Sequence, residues 1–138
     1  MNRFNVRVYG ILINDNKDIL VLDEERNGFF FTKFPGGGLE WGEGTKLCLQ
    51  REFSEELGVD IIVNDLFYIN ENFVQSAFIA TDQIIAIYYF VNILNAKVIS
   101  QRTQYEKPRW ISLNDLNEDC LTFPIDKIVV NKLKKEII

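Results

Sequence analysis

Histidine is absent from the 138-residue sequence, and its absence excludes several classes of active site. A chain without histidine has no Ser-His triad, no histidine general base, and no zinc or haem held by imidazole. The two cysteines, Cys48 and Cys120, stand alone, so neither a zinc knuckle nor a disulfide framework is indicated, and we expect both to be packing residues. Any chemistry therefore falls to carboxylates, lysine, tyrosine or a thiol.

Positive charge is also scarce. The 15 Lys and Arg residues face 20 Asp and Glu residues, and the net charge of −5 disfavours general attraction to nucleic acid. A polyanionic substrate would then need a metal ion or local cations. No apolar run approaches the roughly 18 residues of a membrane span, and residues 1–9 do not resemble a signal peptide. We therefore expect a cytoplasmic protein whose partners include neither nucleic acid nor a membrane.

Apolar residues are plentiful, at 47 % of the chain, which is enough for the core of one domain over residues 1–138. β-branched and aromatic runs predict strands, the longest of them central in the sheet, at 6–13, 19–22, 29–34, 61–68, 83–93 and 110–111. The turn-forming run 14–17 predicts a hairpin between the first two strands. Together with the helices described next, the fold class is mixed α and β, with one principal sheet.

Two segments have the composition of helices. Good helix formers predict a helix over Thr45–Leu57, with Thr45 as its N-cap and Gly58 as a left-handed C-cap. Amphipathic spacing predicts a second, packing helix over 125–138.

The first predicted helix carries three glutamates on one side, because Glu52, Glu55 and Glu56 span an arc of about 100°. Like charges at this spacing repel, and acids near a helix C-terminus oppose the helix dipole. A hard divalent cation such as Mg²⁺ or Mn²⁺ prefers oxygen ligands and turns this repulsion into attraction. The arrangement therefore indicates a metal site. An adjoining apolar face can dock on the sheet: Leu49, Phe53 and Leu57.

The loop ahead of this helix, 35–43, is rich in glycine, which allows close backbone approach to a ligand and leaves carbonyls free to coordinate a cation. It is not a P-loop, because Gly42 is followed by Glu43 where a lysine is required, and the spacing of its glycines also fails the dinucleotide-binding GxGxxG pattern.

Gly37, Glu43 and the segment 51–59 together resemble the Nudix box, G-x5-E-x7-R-E-U-x-E-E-x-G-U with U an apolar residue, at every defined position. The resemblance implies the family's α/β/α sandwich with a mixed central sheet. It also implies Mg²⁺- or Mn²⁺-dependent hydrolysis of a nucleoside diphosphate linked to another group, by attack of water at phosphorus.

The resemblance also implies roles for individual residues. By matching position, the metal ligands are the carbonyl of Gly36 and three box glutamates, Glu52, Glu55 and Glu56. Glu52 and Glu55 are also candidate catalytic residues. Arg51 and Glu43 are the scaffold that orients a box glutamate.

Candidates also lie outside the box. Family members often add a carboxylate ahead of the later tryptophan, as ligand or general base, and here Glu106 is the candidate. Asp126 lies near the position where mutator-type members read a purine edge, although capping of the final helix is the simpler interpretation. Three cations flank the acidic site in the sequence and either hold phosphate or are merely solvated: Arg26, Lys33 and Lys46.

The leading hypothesis is a Nudix pyrophosphohydrolase acting on a small nucleotide derivative, such as a nucleoside triphosphate or a nucleotide sugar. The alternative is a non-catalytic sensor of the same fold, although such sensors usually lose box glutamates and none is missing here. A structural Ca²⁺ site is a third reading, and the sequence has no EF-hand loop. Segment 72–77 lacks the Pro and Tyr typical of ADP-ribose and dinucleoside polyphosphate enzymes. A homodimer would fit the family.

Overall fold

The computed structural model describes residues 1–94 and 98–137. In chain order its elements are β1 (Arg3–Leu12), β2 (Asp18–Arg26), β3 (Phe29–Lys33), β4 (Gly36–Gly38), α1 (Thr45–Leu57), β5 (Ile61–Ile69), β6 (Asp82–Ile93), β7 (Glu106–Ser112), a 3₁₀ turn (Glu118–Cys120) and α2 (Pro124–Glu136). The last position of the predicted second helix, 138, lies outside the described residues. Among the described helices, none is long and apolar enough to cross a bilayer.

The strands form two sheets. The first is mixed, with the order β4-β1-β6-β5, in which β1 runs parallel to β6 and the other pairs are antiparallel. The second is antiparallel, with the order β3-β2-β7. The prediction that 83–93 is a central strand is confirmed, because β6 lies between β1 and β5.

The predicted hairpin between β1 and β2 is wrong. The turn itself is present: the amide of Lys17 donates to the carbonyl of Asn14 at 3.0 Å, and the amide of Asn14 donates to the carbonyl of Asp18 at 3.0 Å. Beyond the turn the two strands form only the isolated bridge between Ile13 and Ile19, and then separate into different sheets. Both strands are apolar on two faces, so each gains more burial as an inner strand of its own sheet than as half of an exposed hairpin.

Alternate residues of β1 and β2 supply two separate cores, one against each helix. One core packs on α1 and contains Val8, Leu12, Leu20, Leu22, Cys48, Leu49, Phe53 and Leu57. The other packs on α2 and contains Tyr9, Ile11, Ile19, Val21, Ile125, Val129, Val130 and Leu133. The mixed α and β sandwich predicted from the sequence is therefore confirmed, with a helix on each side of the strands.

Glycines set the position and the ends of α1. A Cβ on Gly10 of β1 would lie 2.6 Å from a ring carbon of Phe53, so only glycine lets α1 approach this closely. Gly58 ends the helix in the left-handed conformation, with φ of 69°, as predicted. The predicted N-cap is wrong, because Gly44 is the N-cap and its carbonyl accepts from the amide of Cys48. Thr45 is helical, and its hydroxyl bonds the hydroxyl of Tyr89 at 2.7 Å.

Candidate metal and active site

Three glutamates from three elements meet beside the start of the glycine-rich loop 35–43, which we refer to as the glycine loop. Each of Glu24 on β2, Glu56 on α1 and Glu106 on β7 places a carboxylate oxygen within 4.8 Å of the other two, and we refer to them as the carboxylate cluster. The strand register explains the meeting: Glu24 lies directly opposite Glu106 in the antiparallel pair, so both side chains project to the same face. That face is the one packed against α1, which carries Glu56.

Lys33 is buried among these acids. It lies opposite Leu22 in the β2–β3 pair, on the same face as Glu24, and is only 7 % exposed. Its ammonium lies 3.2 Å from Oε2 of Glu24 and donates to the carbonyls of Phe34 at 3.2 Å and Gly36 at 3.0 Å. Burial lowers the pKa of Lys33, but the charges of Glu56 and Glu24 outweigh it and the net pKa is raised. The lysine is therefore charged.

One lysine does not neutralise the cluster. Burial raises the pKa of Glu56 to about 9, with Lys33 opposing and neighbouring Glu52 reinforcing the shift. Burial and the charge of Glu24 likewise raise the pKa of Glu106. The buried Oε2 of Glu56 accepts no hydrogen bond from the described residues, and the buried Oε2 of Glu24 has the Lys33 ammonium 3.2 Å away but no hydrogen bond from them. Three carboxylates that converge in a buried site and share a single lysine match the ligands that Mg²⁺ and Mn²⁺ take, so these residues fit a hard divalent cation.

Arg51 ties the glycine loop to α1. Its guanidinium contacts Glu43 in a two-pronged pair, with Nε to Oε2 at 3.0 Å and Nη2 to Oε1 at 2.7 Å, and this pair holds the pKa of Glu43 at about 2. The same guanidinium donates to the carbonyl of Gly38 at 3.1 Å and to Glu52 at 3.0 Å. Glu52 lies against the loop, because a Cβ on Gly37 would be 2.6 Å from its carboxylate. These contacts are what an orienting scaffold would make.

The three glutamates predicted to act together occupy two different environments. Glu56 belongs to the cluster, and Glu52 lines the same cavity. Glu55 lies outside both: its side chain is 60 % exposed and contacts Arg51 at 3.3 Å. The helix accounts for the division, because Glu52 and Glu56 are one turn apart on the row facing the strands, whereas Glu55 is rotated by about 100° from its neighbour. The predicted metal-ligand role of Glu55 stays a prediction.

Sequence reasoning placed Glu106 near the site and missed Glu24. The structure brings Glu106 into the cluster four residues ahead of Trp110. A signal for Glu24 exists, because Leu20, Leu22 and Glu24 occupy alternate positions of one strand and must share a face. That face is buried at the two leucines, so the glutamate after them points toward the covering helix.

A cavity of about 350 Å³ opens beside the cluster, and one of its walls is aromatic. The ring centroids of Phe31, Phe78 and Phe123 lie 5.2 to 5.9 Å apart, and we refer to these residues as the aromatic wall. The guanidinium carbon of Arg26 lies 4.4 Å from the ring centroid of Phe78. Arg26 therefore lines the cavity, whereas Lys46 lies over the ring of Tyr89 and does not.

Asp126 lies in the wall of this cavity and does not cap α2. The N-cap of α2 is Phe123, without a side-chain cap, so the capping interpretation is wrong. Asp126 is 3 % exposed and accepts a hydrogen bond from the hydroxyl of Tyr88 at 2.5 Å. Burial raises the pKa of Asp126 to about 6, against the opposing effect of the Tyr88 hydrogen bond. The cavity thus joins a carboxylate cluster, an aromatic wall and a buried acid.

The family model described as the NUDIX domain matches residues 3–131. Among solved structures, the fold resembles a NUDIX hydrolase from Nitrosomonas europaea, with a TM-score of 0.78 and 18 % identity over 96 % of this chain and 90 % of that one. It also resembles the MutT protein from Methanosarcina mazei Go1, with a TM-score of 0.76 and 19 % identity over 98 % and 96 %.

A third similar structure is an ADP-ribose pyrophosphatase from Streptococcus suis 89-1591, with a TM-score of 0.64 and 17 % identity over 94 % of this chain and 86 % of that one. A search of curated proteins finds no match to this sequence. At these identities the structural likeness is one of fold.

Proposed function

Since the chain belongs to the NUDIX family and is a Nudix pyrophosphohydrolase, we propose that it cleaves the pyrophosphate bond of a nucleoside diphosphate derivative with the help of Mg²⁺ or Mn²⁺. The observation that carries the proposal is the shared cavity, in which three carboxylates with a single lysine between them lie beside the aromatic wall. The carboxylates suit a metal-bound pyrophosphate, and the aromatic rings suit a planar base.

Glu56 and Glu106 are the proposed metal ligands at the centre of the site, together with the predicted ligands Glu52, Glu55 and the carbonyl of Gly36. Mg²⁺ or Mn²⁺ held by these residues would lower the pKa of coordinated water and offset charge on the pyrophosphate oxygens. Glu52 lines the cavity and is held by Arg51 at 3.0 Å, so its orientation is fixed before substrate arrives. We assign to Glu52 the acceptance of the proton from the attacking water.

The rest of the cavity supports a nucleotide as substrate. Arg7 and Arg26 line the cavity and supply positive charge to phosphate oxygens outside the metal site. Phe78 is 40 % exposed at the edge of the aromatic wall, so part of its ring is accessible to a base. Asp126 supplies a buried polar group for the edge of a base. A chain of net charge −5 can thus hold a polyanion through local cations and metal.

A substrate panel tests the proposal. The purified protein is incubated with nucleoside triphosphates, nucleotide sugars and ADP-ribose, in Mg²⁺, Mn²⁺ or EDTA, and the products are separated by chromatography. We expect a nucleoside monophosphate among the products, with ¹⁸O from labelled water in one phosphate product and no turnover in EDTA. Binding of nucleotides without cleavage under any metal condition would contradict the proposal and favour the sensor module. Stabilisation by Ca²⁺ with no turnover in Mg²⁺ or Mn²⁺ would instead favour a structural calcium site.

A further inference from the structure

The ammonium of Lys33 is surrounded by oxygens in the way a bound cation would be. It lies 3.0 Å from the carbonyl of Gly36, 3.2 Å from the carbonyl of Phe34 and 3.2 Å from Oε2 of Glu24. The Gly36 carbonyl is a metal ligand implied by the sequence motif, and Glu24 belongs to the carboxylate cluster. Lys33 therefore uses an oxygen of Glu24 that a metal ion would otherwise take, and it leaves the carbonyl of Gly36 one lone pair for metal.

These contacts leave Lys33 little capacity for substrate. A lysine ammonium has three N–H donors and no acceptor, and three protein oxygens lie within 3.2 Å of Nζ. With a side chain 9 % exposed, it also has almost no contact with solvent. The suggestion from sequence that Lys33 holds a phosphate is thus disfavoured by geometry, and the charge acts on the cluster instead.

The three carboxylates of the cluster therefore fall into two groups: Glu24, which is paired with Lys33, and the other two, which are not. Lys33 offsets one unit of negative charge at Glu24, and this pair is neutral as a unit. Glu56 and Glu106 then remain, with the buried Oε2 of Glu56 free of hydrogen bonds from the described residues. Two carboxylates suit one divalent ion, whereas three carboxylates and a free carbonyl would attract metal more strongly.

We propose that Lys33 is an internal cation that occupies one cation position of the carboxylate cluster, so that Glu24 is withheld from metal and the protein binds metal more weakly and in smaller number than the cluster alone would allow. The inference rests on the proposed metal site. It assigns to Lys33 the role of a positioning residue that limits how much metal the site takes.

Metal titration of Lys33→Met tests this inference. Methionine approximates the length of lysine and removes its charge. Because a unit positive charge beside a divalent ion repels it, we expect Mn²⁺ to bind Lys33→Met at least about tenfold more tightly than the wild type, and with a higher molar ratio. Isothermal titration calorimetry gives both quantities, and the paramagnetic resonance signal of free Mn²⁺ checks them without any substrate. Lys107→Met is the matched control, because it removes the same charge from an exposed residue adjacent to Glu106 in sequence.

A second variant tests the proposal in case Lys33→Met does not fold. Lys33→Gln removes the charge but keeps an amide that can donate to a carbonyl, and circular dichroism with and without Mn²⁺ reports folding. Folding of either variant that depends on Mn²⁺ but not on NaCl would support the proposal, because metal then replaces the lost charge. If both variants stay unfolded in saturating Mn²⁺, or bind it within twofold of the wild type, the proposal is overturned. If the wild type itself binds no Mn²⁺, the proposed metal site fails instead.

Discussion

Replacement of Glu56 by glutamine separates two expected effects of its carboxyl group: ionisation of the carboxyl destabilises the metal-free fold, and the ionised carboxylate is a proposed metal ligand. Burial raises the pKa of Glu56 from 4.5 to about 9. An acid with a raised folded-state pKa binds its proton more readily in the folded than in the unfolded chain. The free energy of unfolding therefore falls as pH rises between those two values, by at most about 1.4 kcal/mol per pH unit.

Glutamine at this position has no proton to lose, so Glu56→Gln should lack this part of the pH dependence. From about pH 5.5 to pH 8.5 in EDTA, the stability of the variant relative to the wild type should rise by at least about 1 and at most about 4 kcal/mol. Urea denaturation followed by circular dichroism measures both proteins at each pH. Addition of Mg²⁺ should reverse the order by stabilising the wild type alone, and turnover of the variant should fall at least about a hundredfold.

Glu55→Gln is the control for the stability measurement, because Glu55 is a neighbouring glutamate of the same helix with an exposed side chain. Its stability should follow pH as the wild type does. The reasoning is refuted if Glu56→Gln keeps the slope of the wild type, or if Mg²⁺ stabilises it as strongly. The motif itself predicts a turnover loss of the same size for Glu55→Gln, and the same preparation tests that expectation.

Three further changes have definite expected results. Asp126→Asn should be more stable than the wild type above pH 6, by about 1 to 3 kcal/mol in urea denaturation. The pKa of Asp126 is raised from 3.8 to about 6, so the stability of the wild type falls across that range. Equal stability at pH 7 would contradict the buried position beside Tyr88. Gly37→Ala should leave the melting temperature within a few degrees but lower turnover at least about tenfold, because the new Cβ displaces the flexible carboxylate of Glu52; unchanged turnover would show that this carboxylate is not needed there. Arg51→Met should weaken Mn²⁺ binding by about 10- to 100-fold in calorimetry, since it removes the group that orients Glu52, and wild-type affinity would rule out that role.

The sequence predicted the elements well where one segment contains all the necessary information. The bounds of α1 follow from helix-forming residues and from Gly58, which ends the helix at low cost. The pairing of strands is different, because it depends on competition between segments far apart in the chain. The turn at 14–17 forms as predicted, yet β1 takes β6 as its partner, more than 70 residues away. A short turn predicts a reversal of the chain and not which strands remain together.

The site shows the same division. The box supplies Glu52 and Glu56 from one helix, and Glu106 could be named from its distance to Trp110. Alternation along the strand puts Glu24 on a buried face, and Lys33 flanks the site in the sequence, but neither residue could be placed at the cluster in this way. Their positions depend on the register of β2 against two other strands, which no single segment encodes.

An ion pair on the opposite face of the sheet from the carboxylate cluster contributes to the register of β2. Residues 19–22 are apolar at every position, so a one-residue slip of this strand would still bury apolar side chains on both faces. Asp23 breaks the ambiguity, since it bonds Arg109 at 2.8 Å and the hydroxyl of Thr32 at 2.6 Å. Arg109 and Thr32 thereby favour the observed register, and a one-residue slip would turn Glu24 away from Lys33 and the rest of the carboxylate cluster.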